Sequence, residues 1–226
     1  MEKQIIKPVI PNFVNMKSDY VGSPILSIKQ NNIHYSGHYI KYINKFNELI
    51  KSDKQLNKIY NLIISKLHID HNHKNNDNEL RNILILAGIK FFNEKTPVYR
   101  NSSQIYNHEL YWKTITDINN STVQLKKLKY KLFISDTEFD NFYKKFVDEG
   151  TKEFGSGWIW ICFQVNESKL DVFTTHDSKV PFTDTNIKIL GVVDLWEHAF
   201  YIDYPAEKKK YLELSFKTLN WKNFLV

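Results

Sequence analysis

Cysteine is nearly absent from this chain. Cys162 is the single one in 226 residues, so no intrachain disulfide framework can form and a reducing compartment is permitted. It lies in an apolar, strand-like run, where buried packing is its expected role. A long apolar run is missing too, and the stretch from Met1 to Lys17 has neither an apolar core nor an Arg-rich amphipathic pattern, so no signal peptide and no membrane span are expected. Extended basic runs are equally lacking. The lysines gather only in short clusters, Lys126-Lys127, Lys144-Lys145 and Lys208-Lys209-Lys210, which read as solvated faces and do not favour a nucleic-acid interface. What is present describes a globular protein: 42% hydrophobic, 15% aromatic and 25% charged residues exclude wholesale disorder. The length allows one large domain or two small ones. A net charge of +6 favours anionic partners over long range, a small anionic substrate among them.

Residues 1–23 carry turn signals and little periodicity, and read as an N-terminal arm. Ser27 can cap a long helix on which Ile28, Ile33, Ile40, Ile43, Phe46 and Ile50 recur at helical spacing. On it His34, His38 and Tyr42 fall at i, i+4 and i+8, a face too polar for plain core. A second helix is expected from about Leu56 to Leu67. It breaks at the His- and Asn-rich stretch His68 to Asn78, which reads as a solvated loop and not a metal site. Helix resumes from about Glu79 to Phe92. Gln104, His108 and Trp112 then share another helical face.

The character changes beyond Trp112. Asp117 to Ser121 read as a linker, Thr122 to Phe133 as a basic amphipathic helix, and Ser135 or Asp136 as the cap of a further helix carrying Phe139, Phe142, Phe146 and Val147. Three β-rich runs follow: Trp158 to Val165, Leu170 to Thr175 and Ile187 to Val193. Helix signals return after Trp196. The fold class is therefore α+β, an N-terminal helical hairpin domain at 24–116 and a C-terminal domain at 117–226 with a three-stranded antiparallel sheet.

The chemistry gathers in Asp194-Leu195-Trp196-Glu197-His198-Ala199-Phe200-Tyr201-Ile202-Asp203-Tyr204. A carboxylate and an imidazole four residues apart can converge on one metal ion. Alone such a pair is weak, because i, i+4 polar pairs are common on helix surfaces. Its company is specific. The stretches His34 to Tyr42, Gln104 to Trp112, Phe154-Gly155-Ser156-Gly157-Trp158-Ile159-Trp160 and Asp194 to Tyr204 resemble, in order, the four signature blocks of the iron/manganese superoxide dismutases. The resemblance spans about residues 22 to 224, with 51–100 longer and more divergent than usual.

That resemblance implies a metal-dependent disproportionation of superoxide to dioxygen and hydrogen peroxide. It makes His34, His108, Asp194 and His198 the metal ligands, an open N/O set that suits iron or manganese better than a closed zinc site. Gln104, one turn before His108, matches the iron-type position of the glutamine that tunes the centre. Aligned without gaps between Lys169 and Pro181, Ser178 occupies the place where manganese-type members carry that glutamine, and Tyr111 before Trp112 also resembles the iron type. Iron is thus the first expectation and manganese or dual use the alternative, with His176 close enough in the same loop to alter the assignment if the alignment slips. Tyr42 matches the gateway tyrosine that relays protons, and His38 the histidine beside the substrate channel. Glu197 and Tyr201, with His38, match the residues of a dimer interface, so a homodimer or homotetramer is implied. Trp112, Trp158 and Trp160 match the dry wall round the metal.

Some positions depart from the pattern. Tyr39 replaces a common second histidine, Gly37 and Lys208 stand where a lysine and an arginine often line the entrance, and Tyr106 replaces a frequent tryptophan. None removes a ligand. Less entrance charge implies a slower enzyme whose rate depends more on salt. Two readings from other classes stand beside the enzyme: a metal-free structural subunit of a larger, RNA-containing assembly, and a nucleic-acid binder through Thr122 to Lys131, which has only charge behind it. An intracellular, cytoplasmic setting is expected.

Overall fold

A computed structural model describes residues 5–9, 25–67, 74–182 and 186–225, with the backbone alone at 74–77. The arm expected at 1–23 falls outside the described residues except at 5–9, and so does His68 to His73. In chain order the elements are α1 (Ile28–Asn32), a π-helical turn (Ile33–Tyr39), α2 (Ile40–Ser52), α3 (Lys54–Leu67), α4 (Lys74–Lys90), α5 (Pro97–Thr114), α6 (Ile118–Leu132) and α7 (Asp136–Lys152). Next come β1 (Gly157–Gln164), β2 (Lys169–His176), β3 (Ile187–Asp194), a 3-10 turn (Glu197–Ala199), α8 (Lys208–Phe216) and a last 3-10 turn (Trp221–Phe224). This is the α+β class expected, helical first and sheet-containing second. No helix among the described residues is long and apolar enough to cross a membrane.

Two expectations are corrected. The loop read at His68 to Asn78 is already helical from Lys74; Asn and Asp are weak in helix interiors but serve helix starts, so their density marked the entry to α4 as well as a break. The linker read at Asp117 to Ser121 is the first turn of α6, because the Asp117 side chain accepts the backbone N–H of Asn120 and caps the helix.

The chain divides into two compact units, one of residues 1–10 and 35–107, the other of 11–34 and 108–226. In the first, Ile43, Phe46 and Ile50 recur on one face of α2 and are fully buried, as are Leu56 of α3 and Leu84 of α4. The segment 5–9 is clasped to this unit. Asn47 Oδ1 accepts the N–H groups of Ile5 and Ile6, Arg81 Nε donates to the Lys7 carbonyl, and the Tyr39 hydroxyl accepts the Val9 N–H at 2.9 Å. Tyr39, a departure from the family pattern, is thus a buried clasp residue.

In the second unit the sheet runs in the order β2-β1-β3, antiparallel throughout, with β1 central. Trp158 to Cys162 are all buried, which is why this strand reads as an apolar run with little alternation. Gly157 begins it because a Cβ there would come within 2.6 Å of the Thr175 carbonyl oxygen. The register sets Trp158 opposite Asp194. Thr114, at the end of α5, accepts the Val192 N–H on its Oγ1 and the Asn220 N–H on its carbonyl, tying that helix to β3 and to the C-terminal turn. Phe133, Phe139, Phe142, Phe146, Phe216 and Trp221 form the apolar cluster under α6, α7 and α8, where edge-to-face rings predominate.

Candidate metal centre

Four side chains from four elements of the second unit meet at one point. His34 comes from the helical entry, His108 from α5, Asp194 from the last residue of β3 and His198 from the 3-10 turn, and their ligand atoms all lie within 4.8 Å of one another. Asp194 is the hub. Its Oδ1 accepts the Trp196 backbone N–H at 2.8 Å, which fixes the carboxylate plane. Its Oδ2 then faces the Nε2 atoms of His34 at 3.1 Å, His198 at 3.3 Å and His108 at 3.8 Å. The i, i+4 spacing of Asp194 and His198 is not that of a helix face. A strand end followed by a tight turn brings the two together instead.

The surroundings are dry. Asp194 and His108 are completely buried and His34 nearly so. Trp158 stands 5.1 Å from the His108 ring, Trp112 lies 5.8 Å from His108 and 6.2 Å from His34, and both meet the imidazoles edge-on. Trp160 is turned elsewhere in the same core, its Nε1 donating to Thr175 Oγ1 at 2.8 Å. Sequence reading passed over Trp196, which stacks on His198 at 5.4 Å, and gave Tyr111, 5.6 Å from His34, only the weight of a subtype marker. Aromatic density in the two signature blocks was the available signal.

Burial sets the protonation. The His34 imidazole is pushed down by desolvation, with Asp194 opposing, so it stays neutral and able to ligate. Burial alone would push the Asp194 carboxyl up, but electrostatic attraction to, and hydrogen bonds from, His198 and His34 outweigh it and hold the carboxyl well below the usual carboxylate range. Burial pushes the Tyr111 and Tyr211 phenols up, so both remain neutral. A buried anion surrounded by three imidazoles is a cation site by chemistry. One carboxylate oxygen has about two lone-pair directions, fewer than the three ring nitrogens directed at it, so hydrogen bonding alone does not account for the cluster. Three nitrogen donors and one oxygen donor fit a first-row divalent or trivalent ion.

Other expected residues lie elsewhere. Ser178 is buried in the loop after β2, whereas His176 is turned outward, its side chain 62% exposed and its Nδ1 3.0 Å from Glu153 Oε1. Glu197 and the half-exposed Tyr201 line a cavity of about 260 Å³ with Glu153, Phe154 and Lys208. Within that cavity Lys208 is half-buried and its ammonium donates to the Glu153 carbonyl at 2.6 Å; desolvation pushes its pKa down, with Glu153 and Glu197 opposing. His38, Tyr42 and Gln104 belong to the first unit: His38 and Tyr42 are partly exposed there, on the π-helical turn and α2, while Gln104 is buried in α5.

Comparison with known proteins agrees with this geometry. Residues 124–225 match the family described as iron/manganese superoxide dismutases, C-terminal domain. A protein of Plasmodium falciparum named superoxide dismutase (Fe) is 30% identical over 200 residues, covering 88% of this chain and 86% of the relative. An Entamoeba histolytica protein of the same name is 29% identical over 215 residues, covering 95% and 94%, and one of Helicobacter pylori is 28% identical over 189, covering 83% and 74%. With that coverage, and with four side chains that could hold a metal ion converged at one point, the chain belongs to the iron/manganese superoxide dismutase family.

Proposed function

We infer that this chain is a superoxide dismutase that works with iron. The observation that carries the reading is the convergence of three imidazole nitrogens on one oxygen of a buried, ionised Asp194. One superoxide gives up an electron and leaves as dioxygen; a second takes an electron and two protons and leaves as hydrogen peroxide. Iron supplies the one-electron store between these halves. His34, His108 and His198 hold it as neutral donors and Asp194 offsets one charge, so a +2 or +3 ion leaves the site net positive and attractive to an anion. Trp112 and Trp158 keep the pocket dry and the field strong, Trp160 packs in the core behind them, and Ser178 fills the loop after β2 without a long amide.

In this reading Gln104 tunes the potential through hydrogen bonding at the centre, Tyr42 relays protons and His38 lines the approach. Glu197 and Tyr201, together with His38, form the contact of a homodimer or homotetramer. A cytoplasmic setting accords with Cys162, which is free and buried. The metal-free subunit reading has no support beside four ligands in place, and a nucleic-acid partner would have only net charge in its favour.

Elemental analysis of the purified protein, paired with dismutation assays on iron- and manganese-reconstituted forms, tests the proposal. About one iron per chain and activity mainly with iron are expected. Activity mainly with manganese would keep the enzyme and discard the role given to Gln104 and Ser178, and a folded protein that holds neither metal would overturn the function.

A further inference from the structure

Gln30 is a fully buried polar side chain with no role in the chemistry above. It sits in α1, four residues before His34, and its amide is used at both ends. Nε2 donates to the His198 carbonyl at 2.6 Å, and Oε1 accepts the Ile202 N–H at 3.0 Å. The partners are 168 and 172 residues away in sequence. In the 3-10 turn and the bend after it, backbone bonds already join Ala199 N–H to the Trp196 carbonyl, Tyr201 N–H to Glu197 and Tyr204 N–H to Phe200. The His198 carbonyl and the Ile202 N–H stand on either side of that bend, and one amide satisfies both.

We propose that Gln30 is a positioning residue for the metal centre: it couples the helix that carries His34 to the turn that carries His198, and so sets the separation of two ligands. The inference rests on the metal-site reading given above. α1 bears the clamp on one ligand's own backbone and runs directly into the π-helical turn that bears another, so a shift of α1 against the 3-10 turn changes the clamp and the two-ring geometry together. The ring centroids of His34 and His198 are 5.0 Å apart. Two further bonds flank the clamp, Ser27 N–H to Asp203 Oδ2 at 2.5 Å and the Tyr204 hydroxyl to the Ile25 carbonyl. These tethers join the same two segments without touching a ligand residue, which makes them the natural control. An amide suits the clamp because it offers a donor and an acceptor on one planar group; leucine offers neither and glutamate only the acceptor.

The test compares wild type, Gln30→Leu, Gln30→Glu and Asp203→Ala. The first readout is the low-temperature electron paramagnetic resonance spectrum of the ferric protein, whose rhombicity follows ligand geometry. The second is the rate at which iron passes to an excess of chelator. The third, in metal-free protein, is the imidazole nitrogen resonance of His198. Gln30→Leu should change the rhombicity, release iron at least about ten-fold faster, in the range that outer-sphere changes produce, and shift the His198 resonance. Gln30→Glu should lie between it and wild type, while Asp203→Ala should lower thermal stability and leave all three readouts unchanged. If Gln30→Leu does not fold, Gln30→Glu carries the comparison. Wild-type spectra and release rates in a folded Gln30 variant, or equal shifts in Asp203→Ala, would overturn the proposal. Because the His198 resonance is read without metal, failure of the wild type to take up iron would count against the metal reading alone.

Discussion

Among the described residues a histidine meets a carboxylate in two settings, one in the dark and one in water. His34 and Asp194 lie 3.1 Å apart with almost no exposure, and His176 and Glu153 lie 3.0 Å apart with the imidazole 62% exposed. Distance does not distinguish them. Their imidazoles nevertheless move in opposite directions: desolvation pushes His34 down, while the hydrogen bond to Glu153 lifts His176. A histidine that must stay neutral to bind a cation needs burial and a carboxylate shared with other nitrogens. One that only adorns a surface keeps its proton more readily. Proximity of a histidine to an acid is therefore poor grounds for assigning a site, and what surrounds the pair decides its chemistry.

The largest effect comes from breaking the buried pair. Asp194→Asn preserves shape and removes the charge, so three neutral imidazoles are left to hold the ion. Iron affinity, followed by competition with a chelator, should fall by more than about 100-fold, beyond the 10- to 100-fold that outer-sphere substitutions bring. Dismutation should be lost with it. Glu153→Gln, the matching change at the exposed pair, should leave iron content at the wild-type level. Equal loss of iron in both variants would erase the distinction drawn between the two pairs.

Much of this contrast was legible in the residues, and what was hidden has physical reasons. The four side chains that converge at Asp194 stood out because residue type, order and aromatic company together were specific, although i, i+4 polar pairs are common on helix surfaces and this one joins a strand end to a turn. The three strands were readable within about a residue at each end, since β1 is apolar almost throughout. Asp117 was misplaced as linker because a capping residue and a loop residue have the same composition; only the hydrogen bond to Asn120 separates them. The outward turn of His176 depends on the register of β1 against β2, which pairs Gly157 with His176, and a single sequence does not state that register. Gln30 was invisible for the same kind of reason, its partners lying far along the chain.

A middle-sized effect concerns Lys208, whose ammonium is fastened to the carbonyl of the very residue that holds His176. The half-buried charge belongs to the cavity with Glu197 and Tyr201, not to the dry centre. Lys208→Gln should lower the dismutation rate by about three-fold at low ionic strength, a single charge's share of a steering effect that reaches ten-fold or more. The two rates should converge near 1 M salt, where the Debye length is only about 3 Å. A three-fold deficit that persists at high salt would assign Lys208 a local role in place of steering.

The smallest effect sharpens the exposed pair itself. His176 should titrate above the ordinary histidine value of about 6.5, because Glu153 accepts its hydrogen bond and stabilises the protonated ring. A group whose pKa is raised by folding binds its proton more tightly in the folded state. Its stabilisation is complete below the unfolded value and disappears as pH rises through the folded one. The difference in thermal stability between wild type and Glu153→Gln should therefore be greatest near pH 5.5 and should vanish above the folded His176 pKa. In proton NMR titration, the His176 pKa should move down toward about 6.5 in the variant. Solvent screening keeps the stability difference small, so the titration is the sharper measurement. An unchanged His176 pKa in Glu153→Gln would mean that the exposed pair is geometry without coupling, and the contrast with His34 and Asp194 would then be one of kind.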